Sequence, residues 1–213
     1  MIELKTFSQF NGIRHGFYNA KESALIQDII LMNQVHSADV CIIDCIPPEP
    51  LSVDALVTKT VGLKLGIKTA DCAPVLFADP VNGVIGAAHA GWKGAFQGIL
   101  ESCVLAMITQ GAELKNIFAG IGPHLQKRSF EISKSMLDLF PVTQHIFFET
   151  QNDKILFDFH AYILHRLNCM GLAGIDDVVV DTYTDPNYLS YRRDPKNPAR
   201  QFSVISLDKG IAF

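Results

Sequence analysis

Short runs of β-branched and aromatic residues, bounded by Gly, Pro, Asn and Asp, recur along this chain and read as strands. They fall at residues 13–17, 40–43, 55–58, 63–68, 75–78, 84–89, 117–121, 146–149, 178–181 and 202–206. Helical spacing lies between them. It is clearest from Trp92 to about Thr109, where Phe96, Ile99, Leu100, Cys103, Val104 and Met107 return at three- and four-residue steps. Residues 130–140 and 158–170 predict two further helices, and Gly111 and Gly171 stand where C-terminal stops belong. Strands outnumber helices and come in runs, which predicts an α+β fold with a mixed sheet flanked by helices, not a doubly wound one. There is no repeat and no linker-like tract, so residues 1–213 are expected to form a single domain.

Composition supports a folded core and removes several function classes. Hydrophobic residues make up 48% and charged residues 19%, too apolar for disorder. A net charge of −4 gives no basic footprint for nucleic acid. No apolar run approaches the roughly 20 residues that span a bilayer, and the start Met1-Ile2-Glu3-Leu4-Lys5-Thr6 lacks the apolar stretch of a secretion signal. With five cysteines, an odd number, a reduced cytoplasmic protein is expected. Cys41 and Cys45 are four apart but have no second Cys/His pair at finger spacing, so they are assigned to packing. Neither a GxGxxG nor a Walker A loop occurs, leaving dinucleotide and nucleoside-triphosphate sites unsupported.

The chemistry concentrates in three short segments: Asn33-Gln34-Val35-His36-Ser37, Thr69-Ala70-Asp71-Cys72-Ala73-Pro74 and Ala87-Ala88-His89-Ala90-Gly91-Trp92-Lys93. A lone His or Cys in such places is more often a core or surface residue than a ligand. Together, two imidazoles and a thiolate suit zinc, and also copper, in a three-ligand site with an open position. Asp71 is a carboxylate in an apolar run, suited to shuttling a proton or to orienting a ligand histidine. The small-residue strand before His89 leads into a helix start beside Lys93, a place that favours an anion.

These motifs, with Ile121-Gly122-Pro123, Phe130-Glu131 and Ser190-Tyr191-Arg192-Arg193-Asp194, resemble the laccase-domain family from about residue 12 onward. That family is also called multi-copper polyphenol oxidoreductase or polyphenol oxidase, and more recently purine nucleoside phosphorylase. The resemblance implies a zinc ion on His36, Cys72 and His89, and catalysis by these residues with Asp71. It also implies phosphorolysis of adenosine, inosine, guanosine and methylthioadenosine, with adenosine deamination as a second activity. Trp92, Lys93, His124, Arg192 and Arg193 are the candidate contacts for nucleoside and phosphate, with Arg200 a further guanidinium. His124 is also a candidate proton carrier. Three departures stand out. An Arg and a Gly-Gly-Val-Ser loop that commonly follow His-Gly-Phe are replaced by Tyr18-Asn19-Ala20-Lys21-Glu22-Ser23. His124 stands where a Cys is usual, and Pro198-Ala199-Arg200 where Thr-Gly-Arg is usual.

The residue count tests the oxidase name. A mononuclear plus trinuclear copper centre takes about ten histidines, often as His-x-His pairs. This chain has seven histidines and no such pair, so a full laccase centre is not expected. The expectation is a zinc enzyme acting on small purine nucleosides and phosphate, with no nucleic-acid or membrane partner. A copper-dependent phenol oxidase is the alternative enzyme. A metal-stabilised binding protein, with a closed four-ligand site, is the non-enzymatic competitor.

Overall fold

The computed structural model describes residues 1–208; residues 209–213 of the expected 1–213 unit lie outside the described residues. In chain order the elements are β1 (Ile13–Phe17), α1 (Ala20–Ser23), β2 (Ile30–Leu31), β3 (Val40–Ile42), β4 (Ala55–Thr58), β5 (Lys64–Thr69), β6 (Ala73–Asp79) and β7 (Val84–Ala90). Then come α2 (Trp92–Gln97), α3 (Ile99–Thr109), β8 (Phe118–Ile121), β9 (Glu131–Ile132), α4 (Lys134–Leu137), β10 (Phe148–Gln151), β11 (Lys154–Phe157), α5 (Phe159–Cys169), β12 (Gly174–Asp177) and β13 (Gln201–Leu207). The fold is α+β, as the pattern predicts.

A six-stranded mixed sheet, ordered β12-β8-β6-β7-β4-β3, forms the middle layer. Its outer pairs, β12 with β8 and β3 with β4, are parallel, and the inner pairs are antiparallel. Alternate side chains of a strand point to opposite faces, and here both faces are covered. Val57, Val75, Phe77, Ala88 and Ala90 meet Cys103, Met107, Tyr162 and Ile163 of α3 and α5. Leu56, Leu76, Ala78, Ile85 and Ala87 meet Phe17, Leu65, Ile67, Ile205 and Leu207 of a second, four-stranded sheet, β1-β13-β5-β2. Burial on both faces is why β6 and β7 read as unbroken apolar runs. Among the described residues no helix is long and apolar enough to cross a membrane.

Three readings of the sequence needed correction. The helix expected from Trp92 to Thr109 is two helices, because Gly98 takes φ 100°, a left-handed conformation that ends α2 immediately before α3 begins. The helix expected over 130–140 is mostly other structure. Phe130 turns back as its carbonyl accepts from the Phe157 amide, β9 pairs with β11, and Ser133 caps only the short α4. The strands expected at 146–149 and 178–181 are displaced to β10 and β12. β10 and β11 form a hairpin through Asn152 and Asp153, both at positive φ (49° and 62°), the geometry of a tight two-residue turn. Gly111 and Gly171 do follow α3 and α5 at positive φ, as expected of helix stops.

Candidate metal centre

His36 and Cys72 come from two different connections, His89 from a strand end, and the three converge. His36 lies in the loop between β2 and β3. Gln34 ties that loop to β5 by imitating a strand neighbour: its Nε2 donates to the Lys68 carbonyl and its Oε1 accepts from the Lys68 amide, both at 2.8 Å. Cys72 sits where the chain leaves β5 in one sheet and enters β6 in the other. The crossing bends at Asp71, at φ 88°, a conformation rare for a residue with a side chain. His89 is the penultimate residue of β7, opposite Pro74 of β6.

Asp54, just before β4, is the residue that sequence reasoning missed. Its carboxylate is fully buried and accepts from the amides of Val35 (3.2 Å), His36 (3.0 Å) and Ser37 (2.7 Å), from the Ser37 hydroxyl (3.0 Å), and from His89 Nδ1 (2.8 Å). Nothing in the sequence sets Asp54 apart from an ordinary turn aspartate. The available signal was its place at the start of an apolar strand, where an unpartnered carboxylate is costly.

The ligand atoms of His36, Cys72 and His89 all lie within 4.8 Å of one another, with Cys72 Sγ 3.8 Å from His36 Nε2. A tetrahedral zinc with Zn–N about 2.05 Å and Zn–S about 2.3 Å needs N···N about 3.4 Å and N···S about 3.6 Å. The donor set therefore fits a zinc-sized ion after shifts of about 1 Å or less. Protonation fits too. Burial would push the Cys72 thiol up, but the charge of His89 and hydrogen bonds from His36 and His89 outweigh it and hold the thiol well below its ordinary range. Burial would lower His89, yet the Cys72 thiolate and Asp54 raise it. Burial likewise opposes charge on Asp54, and hydrogen bonds from His89 and Ser37 overcome it, bringing the carboxyl down to about 2. A thiolate paired with an imidazolium, backed by a carboxylate, gives up one proton to become a ligand set.

Close packing keeps the donors together. A Cβ on Gly91 would stand 2.6 Å from His36 Cδ2 and 3.3 Å from Cys72 Sγ, so this position has no room for a side chain. The group opens into a cavity of about 900 Å³, which is also lined by Asp71, Trp92, Phe130, Glu131, Tyr191, Lys68, Arg192 and Arg200.

Of the other expected site residues, Asp71, Trp92 and Arg192 are on this wall, whereas Lys93, His124 and Arg193 are not. Asp71 orients no histidine. Its carboxylate accepts from the Thr182 hydroxyl (2.7 Å) and the Arg192 amide (2.6 Å), and so fastens the 182–192 loop beside Cys72. Arg192 donates to the Glu131 carbonyl (3.0 Å) with its guanidinium 5.9 Å from the Phe130 ring centre. Arg193 turns away and donates to the carbonyls of Thr182, Tyr183 and Tyr188. The Lys93 ammonium lies over the Trp92 ring. His124 is fully buried, bonded through Nδ1 to the Gly122 carbonyl and stacked on His160, and burial pushes its pKa down to about 4.

A family model described as multi-copper polyphenol oxidoreductase laccase matches residues 14–208. The chain belongs to that family. A purine nucleoside phosphorylase of Streptomyces coelicolor is 38% identical over 185 residues, covering 84% of this chain and 75% of the relative. One of Rickettsia prowazekii is 35% identical over 173 residues, covering 78% and 71%. Among solved structures, a Neisseria meningitidis protein aligns with a TM-score of 0.77 at 30% identity, over 84% of this chain and 75% of that one. The hypothetical protein YfiH of Bacillus licheniformis aligns with a TM-score of 0.79 at 26% identity, over 89% and 79%. The family's description speaks of several coppers, yet among the described residues one three-donor group of this kind is present. The relatives' names instead point to a purine nucleoside phosphorylase-like family.

Proposed function

We propose that this chain is a zinc-dependent purine nucleoside phosphorylase acting on adenosine, inosine, guanosine and methylthioadenosine, with adenosine deaminase activity alongside. The observation that carries this reading is the open three-donor group facing a cavity that holds both cations and aromatic faces. At about 900 Å³ the cavity is in the range of small-molecule sites and has room for a nucleoside and phosphate together. A closed fourth protein ligand, the mark of a purely structural site, is not among the grouped donors.

In phosphorolysis the bond from the ribose anomeric carbon to the base nitrogen breaks, a phosphate oxygen bonds that carbon, and the phosphate proton passes to the departing base. Lys68, Arg192 and Arg200 offer charge to the phosphate, the two guanidiniums as planar forks. Trp92, Phe130 and Tyr191 offer flat apolar faces to the purine. Asp71 keeps Arg192 beside the site through its amide. A zinc ion bound here would supply Lewis acidity and lower the pKa of a bound water to roughly 7, the chemistry that deamination needs. In this reading Lys93, Arg193 and His124 support the walls and do not touch substrate. All five cysteines are free, which accords with the cytoplasmic location we infer for the enzyme.

Chromatography of inosine plus phosphate, with elemental analysis of the purified protein, tests the reading. Hypoxanthine, ribose 1-phosphate and about one bound zinc are expected, and adenosine should yield inosine without phosphate. Phenol oxidation that appears only after copper loading, with no phosphorolysis, would replace this reading with the oxidase. Unchanged metal content and turnover in Cys72→Ala would remove its basis.

A further inference from the structure

We propose that Asp54 is a positioning residue for the metal centre, a single buried carboxylate that fixes two ligands from different segments at once. The proposal rests on the reading that His36, Cys72 and His89 bind a divalent metal. Oδ1 accepts from the His36 amide and from His89 Nδ1, while Oδ2 accepts from the amides of Val35 and Ser37 and from the Ser37 hydroxyl. The Asp54 carbonyl also accepts from the His89 amide at 2.7 Å.

Each contact has a consequence for the ligands. A carboxylate has no proton to offer, so His89 must carry its own at Nδ1, leaving Nε2 as the nitrogen free to bind a metal. Three successive amides converging on the carboxylate hold the His36 segment in place, including His36 itself at φ 62°. Left-handed geometry is unfavourable for a residue with a side chain and persists where its surroundings enforce it. Asp54 thus joins ring orientation at one ligand to backbone conformation at another, before any metal arrives. An asparagine in its place could not do the same, because its NH2 group would face N–H donors.

The test compares wild type with Asp54→Asn and Ser37→Ala, using Zn²⁺ affinity from chelator competition and the absorption of the Co²⁺-loaded protein. Asp54→Asn should bind Zn²⁺ about 10- to 100-fold more weakly and lose or shift the thiolate-to-cobalt band. Ser37→Ala, which keeps the carboxylate, should bind within about threefold of wild type, a change of ~0.7 kcal/mol or less. An unchanged Zn²⁺ affinity and cobalt spectrum in Asp54→Asn would overturn the role of Asp54 alone. Equal losses in both variants would overturn it too, by assigning the effect to general loosening of the loop. If wild type binds no stoichiometric Zn²⁺, the metal reading fails and this proposal with it. Should Asp54→Asn not fold, nitrogen-15 NMR of zinc-loaded wild type decides. His89 must show a slowly exchanging proton on Nδ1, and a proton on Nε2 instead would overturn the proposal.

Discussion

Gly91→Ala probes the centre with the smallest possible side chain. The backbone there (φ −71°, ψ 157°) suits alanine, so the substitution introduces no conformational strain. Gly91 caps the N-terminus of α2 without any side-chain bond, and because Gly is preferred to Ala at such a cap the exchange costs roughly 0.5–1 kcal/mol in the fold. The difficulty is space. The new methyl would stand 2.6 Å from His36 Cδ2, and reaching an ordinary contact of 3.4 Å requires a shift of about 0.8 Å (3.4 − 2.6). His36 is exposed and can swing outward, away from Cys72. Overpacking of this kind costs about 1–3 kcal/mol, which here falls on the ligand geometry more than on the fold. Metal affinity should therefore drop roughly 5- to 150-fold, while the metal-free protein melts within a few degrees of wild type. Chelator competition and thermal melting of the metal-free form measure the two terms separately. A variant that binds zinc as tightly as wild type would refute the argument that Gly91 is small because the ligands crowd it.

Three further outcomes follow from other parts of the structure. In chelator-treated protein, peptide-mapped alkylation of Cys72 should rise through a midpoint of about 6, set by His89 and His36 against burial. Cys45, held up beside Asp44, should react only in the alkaline range, and a Cys72 midpoint near that of an ordinary thiol would contradict the thiolate–imidazolium pair. His124 is buried as the neutral imidazole, with its pKa lowered from 6.5 to about 4, so the unfolded chain takes up a proton that the native state refuses. Its contribution is present above pH 6.5 and lost as pH falls towards 4, at most roughly 3 kcal/mol. Urea unfolding of His124→Gln should show a flatter pH dependence across that window, and an identical slope would dismiss His124 as its source. Gly98→Ala places a Cβ no closer than 3.5 Å to Glu101 but at φ 100°, so only the backbone objects. A loss of about 1 kcal/mol, or about 2–4 °C in Tm, is expected, and no change would mean that α2 and α3 do not depend on the left-handed break.

Much of the fold was legible because both faces of the middle sheet are buried. β4, β6 and β7 lie where apolar runs predict them, and α3 and α5 follow their 3.6-residue stripes. The failures share a cause. Over 130–140 the apolar spacing is helical, but Phe130 and Phe140 pack into an aromatic-rich cluster from irregular backbone, Met136 from the single turn of α4, and β9 pairs with a strand that lies more than 20 residues ahead. Periodicity registers local repetition and cannot register a partner at that distance. Asn152-Asp153 joins its hairpin without the glycine that usually marks such a turn, so β11 left little trace.

At the centre the division is sharper. Residue type alone nominated His36, Cys72 and His89, because few side chains can ligate a metal and the three sit in motifs with a recognisable order. The histidine count likewise argues against a full laccase centre of mononuclear and trinuclear copper. Only the tertiary structure made these residues neighbours, set Asp71 against Thr182 and Arg192, and brought the Asp54 carboxylate against His89 Nδ1. The physical reason is that a hydrogen bond depends on position in space. Asp54 is 18 residues from His36 and 35 from His89 along the chain, yet one buried carboxylate touches both.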